Sequence, residues 1–170
     1  MKPGNENPMN KTIRVLVIED DTDDSDLLVR QLEKNDFEGS VKVIPDGGQA
    51  WDLLLAENSH QGLVAIFLDL NLPSLSGMKL LSRIKSQQKL CTIPIFVMTS
   101  STNPKDFVEC SRLGVDGYIT KPVTFMTFSK AVADLFHAPS VGPANKLTNG
   151  QPVLPNRFLF GQGPLLDGST

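Results

Sequence analysis

Short apolar runs alternate along this chain with longer segments whose apolar residues recur every three or four positions. IRVLVI (13–18), VKVI (41–44), LVAIFL (63–68), IPIFVM (93–98) and GYI (117–119) have strand character. LVAIFL is uniformly apolar, as a strand covered on both faces would be. Between them the spacing predicts helices over 23–35, 47–57, 76–87, about 103–113 and about 124–136. Leu28 and Leu32 share a face of the first, which Thr22 or Asp23 could cap. Ala50, Trp51, Leu53 and Leu54 belong to the second, and Met78, Leu81 and Ile84 to the third. Asn103-Pro104 reads as an N-cap followed by proline at the first helical position, and Gly114 as that helix's end. Phe125, Phe128, Val132 and Leu135 are the expected buried face of the last.

Alternating strands and helices predict an α/β fold, a parallel sheet with helices on both faces. The chain supplies too few such units for a closed barrel. A doubly wound sheet is the expected result, with its ligand site beyond the carboxyl ends of the strands.

The ends break the pattern. Residues 1–11 are polar and contain Pro3, Gly4 and Pro8, which suggests a flexible N-terminus. Residues 138–170 hold five prolines and five glycines and read as a disordered tail. Phe158-Leu159-Phe160 and Leu165-Leu166 are its apolar islands. One folded domain is therefore expected over 12–137, with no second one after it.

Composition narrows the function. A net charge of −3 without a basic run argues against direct DNA binding. No apolar stretch is long enough to span a membrane, and the polar start has no signal region. Two cysteines, Cys91 and Cys110, do not make a disulfide framework, and a reduced, cytoplasmic setting is the simpler reading. His60 and His137 stand without a metal-ligand pattern.

The informative residues follow the strands. Glu19-Asp20-Asp21 follows the first, Asp69 the third, Thr99 the fourth and Lys121 the fifth. In one parallel sheet these positions converge on the same rim. Crowded carboxylates repel, and burial raises the cost. A divalent cation relieves it: Mg²⁺ takes oxygen ligands, keeps several waters and suits phosphate oxygens. Asp20 and Asp69 could ligate directly, Glu19 through water, and a backbone carbonyl just past Asp69 could add a ligand. Asp69, standing alone at a strand end, is the best nucleophile for an acyl phosphate. Lys121 and the Thr99 hydroxyl suit the phosphoryl oxygens. An acidic cluster after a strand is often only a helix cap, and a lone Thr or Lys there is usually nothing. Four such features on four strands make coincidence a poor account.

With these residues in view, the chain resembles the receiver domain of two-component response regulators over about residues 12–137. VLVIEDD, LDLNLPSLSG, PIFVMTSS and GYITKPV carry the resemblance. It implies a flavodoxin-like five-stranded parallel sheet of order 2-1-3-4-5. It implies that Asp69 is the phosphoacceptor, that Glu19 and Asp20 hold Mg²⁺ (or Mn²⁺), and that Asn71 lends its backbone carbonyl to the metal. Thr99 matches the switch hydroxyl, Lys121 the phosphate-binding lysine and Tyr118 the aromatic that rotates inward on phosphorylation. The Lys121–Pro122 bond is expected to be cis, and Pro73 and Gly77 match the loop after the acceptor. Glu19 departs from the Asp that many members carry, a spare methylene that water can accommodate.

The resemblance also implies partners: a sensor histidine kinase or histidine phosphotransfer protein, and a downstream protein target. The surface of the last two helices and the fifth strand would serve output and could support a homodimer. The motifs are similar to those of small regulators paired with phytochrome-type sensor kinases.

Three other readings fit less well. A haloacid-dehalogenase-like phosphatase puts its nucleophile first and its acid pair last, and wants Asp where this chain has Asn71. A pseudo-receiver usually lacks the acceptor, the acids or the lysine. A flavodoxin-like cofactor binder needs a phosphate-cradling loop after the first strand, where this chain has acids.

Overall fold

The computed structural model describes residues 13–137 apart from positions 36 and 38. The expected flexible N-terminus and the Pro/Gly-rich tail lie outside the described residues. Five strands, β1 (Ile13–Ile18), β2 (Ser40–Ile44), β3 (Ala65–Asp69), β4 (Ile95–Thr99) and β5 (Gly117–Thr120), alternate with five helices. These are α1 (Thr22–Lys34), α2 (Gly47–Leu55), α3 (Gly77–Ser86), α4 (Pro104–Leu113) and α5 (Phe125–His137). All strand pairs are parallel, in the order β2-β1-β3-β4-β5. That is the expected doubly wound, flavodoxin-like sheet.

Strand alternation divides the core into two layers. Leu16, Ile18, Ile66, Leu68, Ile95 and Val97 face α2, α3 and α4, where they meet Leu54, Leu81 and Cys110. Val15, Val17, Phe67, Phe96 and Met98 face α1 and α5, where they meet Leu28, Leu32, Phe128 and Val132. The Phe67 ring stacks on Phe96 at 5.2 Å and on Phe128 at 5.9 Å between centroids. Every residue of β3 and β4 is buried, which is why these segments read as unbroken apolar runs.

Asn103 caps α4 by accepting the Lys105 N–H, Pro104 opens the helix, and Gly114 closes it in the left-handed region at φ 76°. Two expectations need correction. Asp21, not Thr22 or Asp23, caps α1, its Oδ1 accepting the N–H groups of Asp23 and Asp24. An acceptor one residue earlier reaches the second and third N–H groups of the helix, as a cap must. Phe125 is 53% exposed rather than buried. It opens α5, so the helix buries its face only from Phe128 onward. The side chain of Leu135 lies outside the described residues. β3 and β4 also begin two residues later than the apolar runs, leaving half-buried Leu63 and Val64, and buried Ile93 with half-buried Pro94, as approaches.

Candidate phosphoacceptor site

Register brings the predicted residues to one rim. Ile18 pairs with Leu68, so Glu19 stands level with Asp69. Asp69 pairs with Met98 and Thr99 with Thr120, which sets Thr99 one step beyond Asp69 and Lys121 one step beyond Thr99 on the neighbouring strands. A crevice of about 440 Å³ opens there, lined by polar side chains of Glu19, Asp20, Asp24, Asp69, Asn71 and Lys121 among others.

Asp69 is the last residue of β3 and is 3% exposed. Its Oδ1 accepts the Asn71 N–H at 3.0 Å and its Oδ2 accepts from the Lys121 ammonium at 2.8 Å. Glu19 is 1% exposed, and its Oε1 accepts the Asp21 N–H at 3.2 Å. Its Oε2 forms an ion pair with Lys121 Nζ at 2.7 Å. Burial pushes the Glu19 carboxyl up to about 7, the Lys121 ammonium opposes that rise, and the nearby Asp69 charge adds to it. Asp20 is exposed at the mouth. Carboxylate oxygens of Glu19, Asp20 and Asp69 come within 4.8 Å of one another.

This donor set suits a hard divalent cation. It offers three carboxylates, one of them solvent-facing, and the buried Glu19 Oε2 shares the Lys121 ammonium with Asp69. Asn71 borders the crevice, with its backbone close to Asp69.

Lys121 follows β5, and its bond to Pro122 is cis. The three carboxylates around its ammonium hold it well above the usual lysine range, against the cost of burial. Thr99 ends β4, fully buried, and its Oγ1 accepts the Ser101 N–H at 3.0 Å. It stands behind the crevice, while Ser100 lines it. Tyr118, half-buried in β5, meets the Phe107 ring edge-on at 5.4 Å. Burial raises its phenol to about 12, and a hydrogen bond with Thr99 opposes the rise.

Sequence reasoning missed Asp24, whose Oδ2 lies 2.9 Å from Lys121 Nζ. The available signal was its place in the first turn of α1 after the Asp21 cap. Ser101 sits where the resemblance places a residue that tunes the phosphoryl lifetime, but nothing in the sequence foretold that its hydroxyl donates to Asp106 Oδ2 at 2.6 Å and accepts the Asn103 N–H at 3.2 Å.

Comparison with known proteins agrees with this geometry. The model of the response regulator receiver domain matches residues 15–133. The solved bacteriophytochrome response regulator RtBRR is 35% identical with a TM-score of 0.65, covering 84% of this chain and 86% of its own. A second, AtBRR, is 34% identical with a TM-score of 0.61, covering 74% and 94%. Response regulator Rcp1 of Synechocystis is 31% identical over 125 residues, 72% of this chain and 80% of Rcp1. The Mn²⁺-bound crystal structure of Rcp1 has a TM-score of 0.64 at 27% identity, covering 78% and 99%.

The chain belongs to the response regulator receiver domain family. Receiver domains are the phosphorylation-based switches of two-component systems rather than turnover enzymes, and they bind Mg²⁺ or Mn²⁺ at an acidic pocket. Among the described residues, no helix is long and apolar enough to cross a membrane.

Proposed function

We propose that residues 12–137 form a phosphorylation switch in which Asp69 accepts a phosphoryl group from a histidine kinase or a histidine phosphotransfer protein. A carboxylate oxygen of Asp69 forms the new P–O bond, the P–N bond of the phosphohistidine breaks, and the imidazole leaves with its electron pair. The observation that carries the reading is the Lys121 ammonium 2.8 Å from Asp69 Oδ2, in a crevice shared with Glu19 and Asp20.

Glu19, Asp20, Asp69 and the Asn71 carbonyl would hold Mg²⁺ or Mn²⁺, which when bound supplies positive charge to the phosphoryl oxygens. Lys121 pairs with a phosphoryl oxygen as a point charge. Thr99 gives up the Ser101 N–H and turns its hydroxyl toward the phosphoryl group, and Tyr118 packs inward behind it. That couples Asp69 to the surface around α4, β5 and α5, where Val108, Phe125 and Met126 are exposed. We assign this surface to a downstream protein, with a homodimer as a second use. The likeness to bacteriophytochrome response regulators supports a phytochrome-type sensor kinase as donor.

Acetyl phosphate with Mg²⁺, read by intact mass, tests the chemistry. One phosphoryl group is expected, absent in Asp69→Asn and strongly reduced by chelator. Undiminished labelling of Asp69→Asn would overturn the assignment.

A further inference from the structure

Lys121 is held by more charge than the reaction asks for. An ammonium has three N–H donors, and three carboxylates contact this one: Glu19 at 2.7 Å, Asp69 at 2.8 Å and Asp24 at 2.9 Å. Glu19 and Asp69 belong to the phosphoacceptor site already described. Asp24 belongs to α1, and no role has so far been given to it. Its position is fixed from the sequence upward. The Asp21 cap starts α1 and accepts the Asp24 N–H at 3.1 Å, which sets Asp24 in the first turn. Its neighbour Asp23 is exposed and does not line the crevice, whereas Asp24 does. The Asp24 side chain is 24% exposed, so its charge is only partly screened.

We propose that Asp24 is a positioning residue that tethers Lys121 to α1 and competes with the phosphoryl group for its ammonium. This rests on the function proposed for Asp69. Before phosphorylation, Asp24 adds a carboxylate to those of Glu19, Asp20 and Asp69 on the crevice and strengthens its attraction for a divalent cation. Phosphorylation converts one carboxylate charge into a phosphoryl dianion that needs Lys121. Asp24 then repels the dianion and keeps part of the ammonium's hydrogen bonding for itself. One side chain thus favours the cation-loaded resting state and disfavours the phosphorylated one.

The test is Asp24→Asn, which keeps shape and removes charge, with Asp23→Asn as a control for surface charge. Mn²⁺ affinity is read by water-proton relaxation, and beryllofluoride affinity at saturating Mg²⁺ by ¹⁹F NMR. Asp24→Asn is expected to weaken Mn²⁺ binding and tighten beryllofluoride binding, each by roughly three- to tenfold, the size of one partly screened charge at this range. Asp23→Asn is expected to change neither by as much as twofold. Losses in both affinities would mark a structural role and overturn the proposal. So would an unchanged Asp24→Asn protein, or an Asp23→Asn protein that behaves like it. A wild-type protein that binds neither ligand overturns the function proposed for Asp69, and this inference with it. A wild type that binds both, with no opposed shift in Asp24→Asn, overturns the tether alone.

Discussion

Gly77 is pressed against the main chain of Asp69. A Cβ built on it would overlap the Asp69 carbonyl oxygen and come within 2.6 Å of the Leu70 Cα. The Gly77 N–H also donates to the Leu70 carbonyl at 3.0 Å, closing the loop that carries Asn71. Backbone atoms do not swing aside as a flexible side chain can. Gly77→Ala is therefore expected to destabilise the fold by about 1–3 kcal/mol, the usual cost of overpacking. Urea unfolding measures this. Because the strain falls on Asp69 itself, acetyl phosphate labelling should slow in the same variant under conditions where it remains folded.

Tyr118 is the only tyrosine in the chain, so its ionisation is read directly from absorbance near 295 nm. Burial raises the phenol from 10.0 to about 12. The fold thus prefers the protonated phenol. Its contribution to stability is fully present below the unfolded value of 10.0 and is lost as pH rises through about 12. The native protein should titrate near the upper value and the urea-unfolded protein near the lower. Thr99→Val removes the one hydrogen bond that opposes the rise and should move the native titration higher still. A Thr99→Val curve that moves down, or a native curve at the unfolded value, would remove the Thr99–Tyr118 contact from the account.

The strand ends at the site were legible because the apolar runs of β1, β3, β4 and β5 each stop at a polar residue. Asp69 and Thr99 prove to be the last residues of β3 and β4, and Lys121 follows β5 by one residue. A parallel sheet then does the rest, since register alone sets Glu19 beside Asp69. What was not legible depends on helical phase or on loop folding. Asp24 turns toward Lys121 only because α1 starts from Asp21, and the sequence equally allowed Thr22 or Asp23 as its cap. Phe125 is as apolar as Phe128, but periodicity does not tell that no described residue covers the first turn of α5 as the sheet covers Phe128. The Ser101–Asp106 contact spans a loop whose path no pattern fixes.

The two cysteines should separate by reactivity. Cys110 is fully buried on α4, and burial pushes its thiol up to about 11, with the charges of Asp106 and Glu109 adding to the rise. Cys91 is half-buried between α3 and β4. The thiolate is the reactive form. Brief iodoacetamide treatment of the native protein at pH 8 should add one carbamidomethyl group, at Cys91, and treatment in denaturant two. Peptide mapping that finds the native label on Cys110 would show that α4 opens from the sheet far more readily than its packing implies.

Ser101 fastens the β4–α4 loop from three sides. Its N–H holds Thr99 Oγ1, its hydroxyl donates to Asp106 in the first turn of α4, and the same oxygen accepts the Asn103 N–H. The Asp106 contact is a hydrogen bond to a carboxylate in a partly buried place, so its coupling should be about 1–2 kcal/mol. Ser101→Ala, Asp106→Ala and the double variant, compared by urea unfolding, form the cycle that isolates it. The double variant is expected to lose less than the two single losses combined, by that amount. Strict additivity would mean that the contact carries no stability of its own. The Thr99 hydroxyl would then be held back from the crevice by Tyr118 and the Ser101 backbone, without help from α4.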